Sequence, residues 1–188
     1  MVSNHSFVKF FFELGMLKEI QRTGWKLLGI TDPETVAAHS LRAAQIGYIL
    51  ASLEEYDHPE KVASMLVFHD IGECRIGDIH KVANRYVISD EKTAVSDQLR
   101  PLDSVGEKIL DFWDEIETSS TTAGIIAKDA DLLEMVVTAV ELNDRTGVDT
   151  MDWINNTEKR LRTRSAKKLI ENLRDSHSTE WWHDLKKI

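Results

Sequence analysis

Apolar residues recur at intervals of three and four along most of the chain, which is the spacing of one face of an α-helix. Runs of alternating apolar and polar residues between turn signals, which indicate β-strands, are not found. The pattern therefore predicts an all-α fold. Helices are expected near residues 3–22, 32–56, 59–70, 91–99, 104–117, 121–143, 150–162 and 165–175, with a short amphipathic tail near 179–187.

Residues that favour turns and helix caps set the predicted boundaries. Thr23-Gly24 ends the first helix, and Asp32-Pro33 supplies an N-cap followed by a proline for the second. The third helix is expected to stop soon after His69-Asp70, because glycines follow at positions 72 and 77. Residues 77–90 show little periodicity, and a segment of this length predicts a functional loop, a candidate lid.

Length and composition favour a single globular domain. The chain has 188 residues, of which 42% are hydrophobic and 29% charged, and one domain typically holds roughly 100–200 residues. Cys74 is the single cysteine, so one chain cannot form an intramolecular disulfide or a cysteine-based zinc cluster. A reducing, cytoplasmic setting is expected.

The charge balance limits the possible partners. Formal net charge is −9, which disfavours a nucleic-acid polymer, because such binding depends on neutralising many phosphates with Lys and Arg. The opening segment does not resemble a signal peptide, and no apolar run is long enough to span a membrane. We expect a protein that acts on a small molecule, and an anionic substrate would need a local metal ion or a few placed basic residues.

Potential metal ligands interrupt apolar surroundings at three places. His39 follows Val36-Ala37-Ala38, His69-Asp70 follows four apolar residues, and Asp131 lies in an apolar helical segment. Each pattern alone is typical of a core histidine or a helix cap. Together they predict three converging helices and a mixed nitrogen and oxygen ligand set, which suits Mn, Fe, Co, Ni or Zn and leaves positions open for water and substrate.

The order His, then His-Asp, then Asp resembles the signature of the HD-domain superfamily, and the wider context resembles its 5′-deoxynucleotidase branch. The matching segments span about residues 22–134 and are, in chain order, Arg22-Thr23-Gly24-Trp25, Glu34-Thr35-Val36-Ala37-Ala38-His39-Ser40, His69-Asp70-Ile71-Gly72-Glu73, Gly77-Asp78-Ile79 and Lys128-Asp129-Ala130-Asp131-Leu132-Leu133-Glu134.

The resemblance implies a single HD domain over residues 1–188, with a motif-bearing core at about 22–143 and a helical extension at 144–188. It implies hydrolysis of a (deoxy)nucleoside 5′-monophosphate to nucleoside and phosphate, and a homodimer. It also implies one divalent metal ion, which would be Mn, Co, Fe, Ni, Zn or Mg. The ligands of that ion would be His39, His69, Asp70 and Asp131.

Four further residues match the family's catalytic and substrate positions. Glu73 and Asp78 are the expected catalytic carboxylates, and the sequence leaves open which of them is the acid and which the base. Arg22 offers a planar fork for phosphate oxygens. Trp25 offers a flat surface beside the sugar or base, which would favour deoxynucleotides by excluding a 2′-hydroxyl.

This chain departs from the family pattern at two points, and alternatives remain open. Ala38 stands where the family usually has a glutamate before His39, and Thr23-Gly24 separates an arginine and a tryptophan that are adjacent in some relatives. The alternatives are an HD phosphohydrolase for another nucleotide, alarmone-like or a nucleoside triphosphate, and a non-catalytic nucleotide-binding module.

Overall fold

The described part of the chain folds into ten α-helices, which are joined by turns and short 3₁₀ segments. The structure is a computed structural model that describes residues 3–186, and this range contains no β-strand, which confirms the all-α prediction. The helices are α1 Asn4–Leu14, α2 Val36–Leu53, α3 Pro59–Val67, α4 Glu73–Ile76, α5 Lys81–Asn84, α6 Glu91–Leu99, α7 Asp103–Thr118, α8 Thr122–Thr146, α9 Met151–Glu158 and α10 Arg164–Asp175. None of the described helices is both long and apolar enough to cross a membrane.

The centre of the molecule is formed by α2, α3 and α8. Small and aliphatic residues of α8 recur at helical spacing and are buried in the main hydrophobic core. Gly47 lets α2 approach α3 closely, because a Cβ atom at this position would lie 2.2 Å from Leu66 Cδ1. This close crossing sets the distance between the helix that carries His39 and the turn that carries His69.

A second core cluster lies where α1, α6 and α7 meet. Phe10, Val95, Leu99 and Trp113 are buried there, and Ile71 joins them immediately after the His-Asp pair. Leu66, which precedes the pair, belongs to the main core instead. The turn that carries His69-Asp70 is therefore anchored on both sides by buried side chains.

The predicted first helix over 3–22 is wrong, because α1 ends at Leu14 and is followed by a 3₁₀ segment, Gly15–Lys18. Gly15 is a poor helix former. The backbone of the following residues bonds to another segment, since Gln21 and Thr35 form an antiparallel bridge and the Arg22 N–H donates to the Glu34 carbonyl over 2.9 Å. These bonds hold Arg22 beside the start of α2.

The predicted boundaries of the next two helices also change. Thr35, rather than Asp32, caps α2, since its hydroxyl accepts a hydrogen bond from the Ala38 N–H over 3.3 Å. Helix α3 ends at Val67, so His69-Asp70 lies in a turn and not in the last helical turns. Successive side chains on a regular helix point about 100° apart, and the turn lets both members of the pair reach the same site.

The later elements agree closely with the sequence pattern. Helix α6 has the predicted bounds, and α7 to α10 begin and end within a few residues of those expected. The segment expected as a loop at 77–90 contains the short helix α5. The predicted tail at 179–187 forms a 3₁₀ segment at Glu180–Leu185, and Lys187 lies outside the described residues.

Candidate active site and metal centre

The four predicted metal ligands converge from three parts of the fold. The Nε2 atom of His39 lies 3.2 Å from Asp131 Oδ1 and 3.7 Å from Asp70 Oδ2. The Nε2 atom of His69 lies 3.2 Å from Asp70 Oδ2 and 3.7 Å from Asp131 Oδ1. Helix α2, the turn after α3 and helix α8 thus bring two imidazole nitrogens and two carboxylate oxygens together.

Both imidazoles are held by their other nitrogen. Glu134 hydrogen-bonds His39 Nδ1, and the Leu66 carbonyl hydrogen-bonds His69 Nδ1 over 2.7 Å. An acceptor at Nδ1 keeps the proton there, which leaves the Nε2 lone pair free for a metal. Both Nε2 atoms are buried and have no hydrogen-bond partner.

This donor set fits a divalent metal. Two unpartnered Nε2 atoms face two carboxylates, a mixed set typical of transition-metal sites with open positions. Burial alone would raise the pKa of Asp131, but Lys128 and the two histidines hold it well below its usual range. Burial and Arg22 oppose a charge on His39, yet the nearby carboxylates of Asp131 and Glu134 raise its pKa to about 10. The carboxylates therefore favour a cation at this point.

Asp129 and Asp131 have different surroundings although they are two residues apart on α8. The buried Asp129 carboxylate accepts hydrogen bonds from the Thr163 N–H and hydroxyl, over 2.6 and 2.8 Å, and from the Arg162 N–H. It therefore holds the start of α10. Asp131 points to the histidines instead.

A cavity of about 280 Å³ adjoins the metal ligands. Its polar lining includes Arg22, Asp70, Glu73, Asp78 and Asp131. The large apolar residues of the lining, here called the apolar wall, are Trp25, Leu132, Met135 and Trp153. A pocket lined both by convergent polar groups and by an apolar surface suits a small molecule with a charged end and a flat ring.

Arg22 lies between the metal ligands and the cavity. Its Nη1 atom is 3.3 Å from Asp70 Oδ2. Burial opposes its charge, but Asp70, Asp131, Asp78 and Glu73 together raise the pKa of the guanidinium above its ordinary value. Arg22 is therefore a fixed cation at the position where an anionic group of a ligand would enter.

The two predicted catalytic carboxylates differ in their surroundings. Burial, with Asp70 and Asp78 nearby, raises the pKa of Glu73 to about 9, and its buried Oε2 atom has no hydrogen-bond partner. Asp78 is anchored, since its carboxylate accepts from the Thr23 N–H and from the Thr23 hydroxyl over 2.7 Å. Both line the cavity. Residues 79–81 line it too, and the lid interpretation of 77–90 stays a prediction.

Trp25 lies deeper than the sequence suggested. It is 2% exposed, its Nε1–H donates to Glu34 Oε1 over 3.3 Å, and its ring centroid is 5.0 Å from that of Trp153. Trp25 thus belongs both to the core and to the apolar wall. Gly24 leaves room for this arrangement, because a Cβ atom there would lie 3.3 Å from the Trp153 ring.

Several further residues at the site were not assigned a role from the sequence. Lys128 and Glu134 gave a usable signal, since each lies three positions from Asp131 on a helix, and the Lys128 Nζ atom is 3.4 Å from Asp131 Oδ2. Thr23 stands in a segment that matches the family and bonds Asp78. The others gave no signal, because only the folded chain brings them to the cavity. They are His80, Lys81, Glu91, Glu117, Trp153 and Arg160.

Comparison with known proteins agrees with these observations. The sequence profile of the HD domain matches residues 14–174. 5′-Deoxynucleotidase HDDC2 of Dictyostelium discoideum is 33% identical over 147 residues, covering 72% of this chain and 77% of that protein. The human protein of the same name is 28% identical over 144 residues, covering 74% and 69%. A crystal structure of a genomics target superposes with a TM-score of 0.81 at 34% identity, covering 95% of this chain and 99% of that one. The chain belongs to the HD-domain family.

Proposed function

We propose that this protein is a metal-dependent phosphomonoesterase that hydrolyses 2′-deoxynucleoside 5′-monophosphates to deoxynucleoside and inorganic phosphate. One observation carries the proposal: two buried, unpartnered Nε2 atoms face Asp70 and Asp131 beside a cavity with an arginine and an apolar wall. The curated relatives that bear the name 5′-deoxynucleotidase support the substrate class.

His39, His69, Asp70 and Asp131 would hold the metal. When bound, a divalent ion supplies Lewis-acid polarisation of a phosphoryl oxygen and activates water at neutral pH. The carboxylates of Asp70 and Asp131 both line the cavity, so a substrate bound there would lie beside these ligands. The protein residues fix the ligand geometry, and a nucleophilic side chain is not required.

Arg22 and the apolar wall would bind different parts of the substrate. The guanidinium would bind the phosphate through charge-assisted hydrogen bonds, at the same end of the cavity as Asp70. The residues of this wall, Trp25, Leu132, Met135 and Trp153, would contact the sugar and base. An apolar surface disfavours an added hydroxyl by only about 10²-fold, so the preference for deoxyribose is finite.

Glu73 and Asp78 would handle the proton that must reach the leaving 5′ oxygen. Glu73 holds a proton near neutral pH, because burial raises its pKa to about 9, and it therefore suits the role of acid. Asp78 is fixed by Thr23 and suits the orientation of water or substrate.

The test is phosphate release from a panel of deoxy- and ribonucleoside 5′-monophosphates, with several divalent metals added to chelator-stripped protein. We expect release from dAMP to exceed release from AMP. Nucleoside triphosphates and alarmone-like nucleotides belong in the panel, because turnover of those alone would favour the other HD hydrolases. Tight binding without release would favour a non-catalytic module.

We further propose a single HD domain over residues 1–188, a cytoplasmic location and a homodimer. The single cysteine supports a reducing compartment. Helix α2 supports a dimer, because Leu41, Tyr48, Ile49 and Leu53 form an exposed apolar stripe on it. Light scattering after gel filtration tests the dimer, and a mass of 21.4 kDa, that of one chain, would contradict it.

A further inference from the structure

We infer that Glu134 is the positioning residue that holds His39 in its metal-binding orientation, and that Arg42 in turn fixes Glu134. The inference rests on the proposed function, because it concerns the same metal site. It gives a role to two residues that the sequence pattern did not single out.

The contact between Glu134 and His39 lies entirely inside the protein. Both side chains are 0% exposed, and the Glu134 Oε2 atom is hydrogen-bonded to His39 Nδ1. An ionised carboxylate can only accept, so the proton of this bond belongs to Nδ1. A neutral imidazole carries one proton, and Nε2 is then left with the lone pair that faces Asp70 and Asp131.

Arg42 supports the same carboxylate from the other side. Its Nε–H donates to Glu134 Oε1 over 2.9 Å, so the two oxygens of Glu134 bind different partners. A second ion pair, at 2.8 Å, joins Arg42 to Glu141, which lies about two turns further along α8. The guanidinium is thus held at two points of one helix, which restricts the rotation of Glu134.

Helix geometry explains why Glu134 reaches a metal ligand. Glu134 follows Asp131 by three positions on α8, and residues at this spacing lie on the same helix face. One helix therefore supplies both a metal ligand and the carboxylate that orients another ligand.

Glu134→Gln is the informative variant, because it keeps the shape of the side chain and removes its charge. Glu141→Gln is the matched control. Glu141 lies on the same helix and also accepts a hydrogen bond from Arg42, but it does not bond His39 as Glu134 does. The measurement is Co²⁺ affinity of the full-length, chelator-stripped protein by competition with a chromophoric chelator. The visible absorption of bound Co²⁺ is the second readout, and circular dichroism checks the fold.

We expect Glu134→Gln to weaken Co²⁺ binding by about 10-fold to 100-fold and to change the Co²⁺ absorption spectrum. Glu134→Asp, which keeps the charge, should recover part of the affinity, and Glu141→Gln, which removes only one anchor of Arg42, should weaken Co²⁺ binding less than Glu134→Gln does. Wild-type affinity in a folded Glu134→Gln variant overturns the inference while leaving the proposed function standing. Absence of Co²⁺ binding by the wild type would overturn both.

If Glu134→Gln does not fold, a measurement on the wild type tests which nitrogen of His39 binds the metal. Nitrogen NMR of the Zn²⁺-loaded protein, with labelled histidine, reports which ring nitrogen carries the proton. We expect His39 to bind Zn²⁺ through Nε2 and to keep a hydrogen-bonded proton on Nδ1. Metal ligation through Nδ1 would overturn the inference.

Discussion

The chemistry of this protein depends on which atom of each histidine faces the carboxylates. His39 and His69 both turn Nε2 towards Asp70 and Asp131, since Nδ1 of each ring is held by an acceptor. Neighbouring acids on the same helix are used differently, as Asp131 faces these nitrogens and Asp129 accepts from the backbone before α10. Side-chain type alone therefore does not define a role in this site.

Asp129 and Asp131 provide a matched pair of variants. Asp131→Asn should weaken metal binding by more than about 10²-fold and abolish most phosphate release, because it removes a charged ligand. Asp129→Asn should keep the metal but lower the free energy of unfolding by about 1–3 kcal/mol, because it weakens charge-assisted hydrogen bonds at the start of α10. Metal content by elemental analysis and thermal unfolding separate the two effects. The reverse pattern would contradict the assignment.

Protonation of His39 and Glu73 predicts how the stability of the metal-free protein depends on pH. Folding raises the pKa of His39 from 6.5 to about 10 and that of Glu73 from 4.5 to about 9. Between about pH 6.5 and pH 9 the folded state therefore binds more protons than the unfolded state, and stability falls as pH rises. The melting temperature of the metal-stripped protein should be lower at about pH 9 than at about pH 6.5, by roughly 5 °C or more. A melting temperature that stays constant or rises over this pH range would contradict the raised pKa values of His39 and Glu73.

At the scale of elements, short irregular segments place the functional side chains more than the long helices do. Residues 20–22 pair with the segment before α2, and this pairing fixes Arg22. Thr23 then joins that segment to the 77–80 turn, since its hydroxyl donates to the Asp78 carbonyl over 2.9 Å or to the Asp78 carboxylate. Asp78 and Arg22, the proposed catalytic carboxylate and phosphate-binding residue, are thus connected through one threonine.

Thr23→Val tests this connection. The substitution keeps the volume and the backbone N–H but removes the hydroxyl, so Asp78 loses one of its two bonds to Thr23. Since a hydrogen bond to a charged group contributes about 1.5–3 kcal/mol, kcat/KM for dAMP should fall by about 10-fold or more. Thr31→Val is the control, because Thr31 is exposed and outside the cavity lining. Equal kinetics in the two variants would remove the connection from the mechanism.

Periodicity predicted the regular elements well and the irregular ones poorly. Helix α6 and the long α8 were foreseen because apolar spacing is a local property of the sequence. The break after Leu14 was missed, because the competing bonds come from residues 34–36, which only the folded chain brings near. The same reason hid the bond between Glu134 and His39, which lie 95 positions apart.

At the scale of the whole molecule, two core clusters hold the site between them. The main core contains Leu66, the second cluster contains Ile71, and the His-Asp pair lies between these two residues. Helices α2 and α8 cross this junction and bring His39 and Asp131 to it. The HD-domain fold thus positions the four candidate ligands through packing on both sides, with the cavity at the open end.

The most direct test of the account is phosphate release from dAMP by chelator-stripped protein as Co²⁺ or Mn²⁺ is added back, with bound metal measured in the same samples. We predict that stripped protein is inactive and that activity rises in proportion to bound metal. A metal that binds only the folded state should also raise the melting temperature. Undiminished release of phosphate by metal-free protein would contradict the central claim.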